Sequence, residues 1–232
     1  MKPNGQKLRR VRAYGENKKD ILLVDDHPLV REGLSALIRT TSDLKIVAEA
    51  GNAAEALDLL RERRVDLVLL DISLPGMSGI ELLKEIHVRY PKVRILVLSM
   101  HEESVYAERA LRAGAHGYIM KQESGRNVIE AIRSVLRGEL YVSPMLATRM
   151  VKLFVANKQG KDIRTSVERL SNRELQVYTH IGNGLSTKEV AARLERSVKT
   201  IQTYREHIKR KLGLRNATDL VHHATHWVQN EL

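Results

Sequence analysis

The chain has 232 residues, 43% of them hydrophobic, which is enough to build a sizeable core in one large domain or two small ones. It has no cysteine, so disulfides and thiolate metal sites are excluded and an intracellular setting fits. The net charge of +11 is uneven: residues 1–19 hold seven Lys or Arg against Glu16 alone, residues 158–232 hold fourteen against eight acids, and the middle is left at −1. A near-neutral body with a basic C-terminal portion points to a polyanionic partner, nucleic acid first, with a merely solvated basic surface as the alternative. No apolar run approaches a membrane span. The basic N-terminus has no apolar stretch behind it, so a secretory signal is not expected; the chain reads as cytoplasmic, with no membrane partner.

Residues 1–19 lack apolar periodicity and read as a disordered basic arm. From Asp20 the pattern alternates strand and helix. Ile21–Val24 is an apolar run ending at Asp25 and Asp26, and Pro28 opens a helix to about Arg39. Lys45–Ala50 reads as a strand, Ala53–Arg63 as a helix, and Leu67–Leu70 as a buried strand that ends at Asp71 before Pro75-Gly76. Ser78–Tyr90 is a helix stopped by Pro91, Arg94–Leu98 a fourth strand, and Glu103–Ala113 a helix ended by Gly114. Gly117–Met120 is a fifth strand, and Ser124–Arg137 a helix ended by Gly138. Five such units predict an α/β doubly wound parallel five-stranded sheet with helices on both faces.

An isolated acid before Pro-Gly reads first as a turn residue. The other strand ends change that reading, because right-handed crossovers bring Asp25, Asp26, Asp71, Ser99 and Lys121 to one edge of the sheet. Carboxylates held together repel unless a cation lies among them, and oxygen donors suit magnesium. Lys121 adds a cation able to hold a phosphoryl group. Residues 20–140 resemble the receiver domain of two-component response regulators, a flavodoxin-like fold, through Asp25-Asp26, LLDISLPGMSGIEL around Asp71, Ser99, and GYIMK ending at Lys121. The resemblance implies that Asp71 accepts a phosphoryl group from a sensor histidine kinase. It further implies that Asp26, Asp71 and the Ser73 carbonyl ligate magnesium, with Asp25 acting through water. Lys121 would bind the phosphoryl oxygens, and Ser99 and Tyr118 would form the switch pair. Gln122 stands where many receivers carry proline.

Residues 141–164 read as a linker with a short helix, Met145–Val155, and a polar run at 157–162. Residues 165–232 read as a small all-α unit with helices at Asn172–Ile181, Thr187–Leu194, Val198–Leu212 and Ala217 to about Val228. Ser186 and Ser197 are placed to cap the second and third. Two short helices joined by a tight turn, the second rich in polar residues, fit a helix-turn-helix, with Lys199, Gln202, Thr203, Arg205, Glu206, Lys209 and Arg210 pointing outward. LSNRE at 170–174, GNGLSTKEVAARL at 182–194 and SVKTIQTYREHIKRKLGL at 197–214 resemble the LuxR-type helix-turn-helix of NarL-type response regulators. That resemblance implies Gln202, Thr203 and Glu206 at base edges. Thr200, Arg205, Lys209, Lys211 and the backbone near Ser186 and Thr187 would meet phosphates, and Lys199 would add a further phosphate contact. The expected function is a phosphorylation-controlled transcription regulator that binds promoter DNA, as a homodimer when phosphorylated, and is not an enzyme. The rival is an aspartate-nucleophile phosphotransferase or phosphatase.

Overall fold

The computed structural model describes residues 18–100, 103–148, 150–151 and 166–231. The expected arm lies outside them except for its last two residues, and Lys19 already belongs to the first strand. The polar run at 157–162 and the end of the short helix before it also lie outside the described residues.

The first unit runs β1 (Lys19–Val24), α1 (Pro28–Arg39), β2 (Leu44–Ala50), α2 (Ala53–Glu62), β3 (Leu67–Leu70), α3 (Gly79–Arg89), β4 (Arg94–Ser99), α4 (Glu103–Arg112), β5 (Gly117–Met120) and α5 (Gly125–Leu136). The five strands are parallel in the order β2-β1-β3-β4-β5. Successive side chains point to opposite faces, so each apolar run supplies two cores. Leu22, Val24, Val68, Leu70 and Val97 join Ile80, Leu83 and Tyr106 on one face. Ile21, Leu23, Leu67, Leu69 and Leu96 join Ile38, Ile132 and Val135 on the other. The chain winds outward in both directions from β1 and β3, which opens a crevice beyond their carboxyl ends, the place where ligands gather in such sheets.

Local chemistry sets the helix starts around that crevice. Pro28 occupies the first turn of α1, where its missing N–H costs nothing. Ser78 and Glu81 form a reciprocal capping box at α3. The first residue of α3 must be glycine, because a Cβ on Gly79 would come within 2.3 Å of the Asp71 carbonyl oxygen. The loop after β3 is thus folded tightly back beside Asp71.

The second unit has a 3₁₀ turn (Ser166–Arg169), then α6 (Asn172–Gly182), α7 (Thr187–Arg193), α8 (Val198–Leu212) and α9 (Ala217–Glu231). Ser171, Ser186 and Ser197 cap α6, α7 and α8, each accepting the backbone N–H three residues on. Such caps contribute roughly 0.5–2 kcal/mol each. Gly213 ends α8 at φ 68°, the left-handed conformation that glycine adopts without strain. Val190 and Ala191 of α7 and Ile201 and Ile208 of α8 are buried in one cluster, which fixes the two helices against each other.

The two units are docked. Arg109 of α4 donates to the carbonyls of Leu170 at 2.7 Å and Val167 at 3.0 Å. Arg173 of α6 donates to the carbonyl of Leu74, and Asn172 donates to the Ser78 hydroxyl at 3.4 Å. Tyr106, buried between them, faces the Thr179 hydroxyl of α6. Nothing local in the sequence announces these contacts.

Candidate functional site

Asp25 and Asp26 follow β1, Asp71 follows β3 and Lys121 follows β5, and the parallel sheet brings all four into the crevice. Lys121 Nζ lies 2.6 Å from Asp25 Oδ2 and 2.7 Å from Asp71 Oδ2. Asp25 and Asp71 are only 1% and 2% exposed. The Ser73 N–H donates to Asp71 Oδ1 at 3.0 Å, so the loop after β3 holds the second carboxylate oxygen. Burial pushes the Asp71 carboxyl above its ordinary range, against the pull of Lys121, and the neighbouring Asp25 charge adds to the rise. Burial by itself would depress the Lys121 ammonium, but the facing Asp71 and Asp25 carboxylates hold it above its usual value. One ammonium therefore serves two buried carboxylates.

Asp26 completes the mouth of this cleft. Its Oδ1 is buried and lies 2.7 Å from His27 Nδ1. Asp25, Asp26, His27 and Asp71 each offer a donor atom within 4.8 Å of the others. Three carboxylates gathered at one sheet edge are hard oxygen donors of the kind a divalent cation takes, so these residues fit the magnesium that receiver domains typically bind.

Ser99 at the end of β4 and Tyr118 in β5 are 0% and 1% exposed, and the serine hydroxyl is hydrogen-bonded to the phenol. Burial raises the Tyr118 phenol, partly offset by that bond, and the Tyr106 phenol is raised by burial in the same way. The Tyr118 ring is already turned inward, beside Tyr106 and near Asp71.

On α8, Lys199, Gln202, Thr203, Glu206 and Arg210 face solvent, while Thr200, Arg205 and Lys209 are half-buried. Ser186 and Thr187 lie together at the start of α7, at its exposed end. The Thr200 N–H and hydroxyl are both engaged by Ser197, and Lys209 Nζ pairs with Glu206 at 2.9 Å. Lys211 is exposed as a residue, and its Nζ lies 2.6 Å from Oε2 of the buried Glu174. Glu174, the third residue of α6 and part of its capping box, needs that partner. Burial opposes its ionisation, but Lys211 and the Ser171 N–H and hydroxyl hold its carboxyl below the usual range.

Two sequence families cover this architecture. Residues 21–133 match the response regulator receiver domain, and residues 168–224 match the bacterial regulatory proteins of the luxR family. The oxygen regulatory protein NreC of Staphylococcus aureus (strain bovine RF122 / ET3-1) is 38% identical over 207 residues, spanning 88% of this chain and 95% of that one. The chain is a NarL-type response regulator. NreC of Staphylococcus haemolyticus is 36% identical over the same share of both chains. A two-component response regulator of the LuxR family from Aurantimonas sp. matches 60% of this chain and 99% of its own at 40% identity and a TM-score of 0.55. RcsB of Salmonella enterica serovar Typhimurium, solved bound to a promoter in the presence of a phosphomimetic, matches 90% of this chain and 100% of its own, with 25% identity and a TM-score of 0.58. The first unit of this response regulator is thus its receiver and the second its DNA-binding unit. The family is one of DNA-binding transcription regulators, and the rival reading as a turnover phosphotransferase loses ground to it. Among the described residues no helix is long and apolar enough to cross a membrane.

Proposed function

We propose that this response regulator accepts a phosphoryl group on Asp71 from a sensor histidine kinase and then binds promoter DNA as a homodimer in the cytoplasm. In this reading the receiver spans about 20–140, the linker 141–164 and the DNA-binding domain 165–232, with the arm at 1–19 adding nonspecific affinity. The observation that carries it is the buried Asp71 carboxylate, held by Lys121 and Ser73 beside the donor atoms of Asp25, Asp26 and His27. A carboxylate oxygen of Asp71 forms the new bond to phosphorus as the donor's P–N bond breaks, and the departing imidazole takes up a proton. Asp26, Asp71 and the Ser73 carbonyl would hold magnesium, with Asp25 acting through water; the ion supplies charge neutralisation to the transferring group. Lys121 takes the phosphoryl oxygens. The receiver assists its own phosphorylation and dephosphorylation and turns over no separate substrate.

Coupling runs through packed hydroxyls. Drawing Ser99 toward a phosphate removes the bond it makes to Tyr118, whose phenol lies beside Tyr106, which in turn faces Thr179 of α6. Gln202, Thr203 and Glu206 are exposed in the docked arrangement, so restraint acts on how the DNA-binding unit can approach DNA and a second copy rather than by covering its reading side chains. The guanidinium bonds of Arg109 and Arg173 across the units are the contacts that phosphorylation loosens, and charge-assisted bonds of this kind contribute roughly 1.5–3 kcal/mol each.

The test measures promoter affinity and sedimentation for the full chain, the chain treated with a small phosphodonor and magnesium, and the Arg109→Ala, Arg173→Ala double variant. Phosphorylation and the double variant are each expected to raise affinity, and phosphorylation to raise mass. Unchanged mass and affinity after stoichiometric labelling would overturn the reading.

A further inference from the structure

We propose that the DNA-binding unit governs how fast Asp71 is phosphorylated: the first turn of α6 holds the loop between β3 and α3 closed on the acceptor carboxylate, and DNA, by drawing that unit away, speeds the loading of the receiver. This rests on the reading of Asp71 as the phosphoacceptor. It adds a control that runs from DNA back to the receiver.

The acceptor is sealed in the docked arrangement. Asp71 is 2% exposed, with Lys121 on one carboxylate oxygen at 2.7 Å and the Ser73 N–H on the other at 3.0 Å. Before a bond forms, an oxygen of Asp71 must face phosphorus in line with the donor's leaving group, at about 3–3.5 Å. Room for that approach has to be opened. β3 and β5 are pinned by their pairing with β4, whereas the loop carrying Ser73 lies outside the sheet and against the DNA-binding unit.

Two neighbouring residues of α6 grip both arms of that loop. Arg173 donates to the Leu74 carbonyl, and Asn172 donates to the Ser78 hydroxyl at 3.4 Å. The Arg173 bond is charge-assisted and roughly twice as strong as a neutral one. The Leu74 side chain is fully buried, so its carbonyl cannot swing out without moving the core beneath it. Ser78 caps α3, and the Gly79 N–H donates to the Ile72 carbonyl at 3.1 Å, so a hold on either arm passes to the backbone beside Asp71. Asn172 also accepts from Arg109 of α4 at 3.5 Å, which ties the grip to the rest of the docked interface. Opening the loop and undocking the unit are therefore one equilibrium. A ligand that binds only the undocked unit raises the population of the open loop.

The test follows transfer from an acyl phosphate to the full-length chain with magnesium present: an Asp71 oxygen bonds to phosphorus, the donor's P–O bond breaks and a carboxylate leaves. Initial labelling rates are compared for wild type, Arg173→Ala and Asn172→Ala, each with and without saturating random-sequence duplex DNA at low salt, with circular dichroism to confirm folding. Arg173→Ala is expected to label about fivefold or more faster than wild type, and Asn172→Ala to gain less because its contact is long. Duplex DNA is expected to accelerate the wild type to a similar extent and to add little to Arg173→Ala, since both act on the same equilibrium. The DNA arm on the wild type needs no substitution, so it decides the matter even where a variant folds poorly. An unchanged wild-type rate with DNA, an Arg173→Ala rate no higher than wild type, or equal acceleration of both chains by DNA would overturn the proposal. No label on any chain would instead sink the reading of Asp71 beneath it.

Discussion

The receiver and the DNA-binding unit present their candidate groups in opposite ways. In the receiver, Asp25, Asp71, Ser99 and Tyr118 are nearly sealed from solvent, and each is fixed by a strand end and a named partner. On α8, Gln202, Thr203 and Glu206 stand in solvent on a helix whose inner face, Ile201 and Ile208, is held by α7. A buried charge cluster has its geometry set by the sheet and tolerates little change, because each carboxylate there depends on one ammonium. An exposed reading face tolerates substitution structurally and expresses the change only when DNA arrives. Loss of one receiver group is therefore expected to be nearly all-or-none, and loss of one helix group graded.

The largest effect expected is at Asp71. A small phosphodonor with magnesium should label the wild type, and Asp71→Asn should remove the label altogether, because the amide keeps the shape and the Lys121 contact but is no nucleophile. Label of equal yield on the variant would move the phosphoacceptor elsewhere and dissolve the contrast between the two units.

Graded effects are expected on α8. Gln202→Ala should weaken the cognate site by roughly 1–3 kcal/mol and random DNA hardly at all. Arg205→Ala should weaken all sequences alike and flatten the dependence of log affinity on log salt by about one unit. Lys211→Ala sharpens the comparison, since Lys211 is bonded to Glu174. It should lower the melting temperature of the DNA-binding unit more than it lowers the salt slope. A slope change equal to that of Arg205→Ala would instead make Lys211 a phosphate contact of the same standing as Arg205.

How much of this was legible beforehand follows the same division. The strands could be read because a sheet covered on both faces demands continuous apolar runs, and Pro28, Pro91, Gly114 and Gly138 punctuate them; observed strand bounds lie within two residues of those expected. The crevice was legible because its acids and lysine come directly after strands. Ser186 and Ser197 were legible as caps because capping is a three-residue affair. Glu174 was not, since a capping-box acid is ordinarily at the surface and only the fold shows that Lys211, 37 residues on, keeps it charged while buried. The Arg109 and Arg173 clamps were invisible for a similar reason. A guanidinium that reaches a backbone carbonyl 61 or 99 residues away leaves no periodicity or spacing to detect.

The smallest effect expected is a proton-linked change in the DNA-binding unit, far from the acidic cleft. Burial lowers the His223 imidazole below its ordinary value, and the neighbouring His226 and His222 lower it further. Its Nδ1 is hydrogen-bonded to the phenol of Tyr178, whose ring packs 5.4 Å from that of Trp227, measured between centroids. Because the folded form resists protonation, the unfolded chain binds more protons once the pH drops below the unperturbed value of about 6.5. The stability contributed by a neutral His223 is therefore complete above that pH and declines as the pH falls through it. His180, lowered by burial and by Arg193, acts with the same sign in the same unit, whereas Glu174 loses its contribution only at more acidic pH, below the usual carboxylate range. Trp227 is the sole tryptophan, so its fluorescence reports this unit alone. The urea midpoint followed by Trp227 should fall between about pH 7.5 and 5.5 in the wild type. In His223→Gln the fall should be shallower, with the remainder due to His180. A midpoint that rises on acidification, or a slope untouched by the substitution, would show that His223 takes up its proton as readily in the folded chain as in the unfolded one.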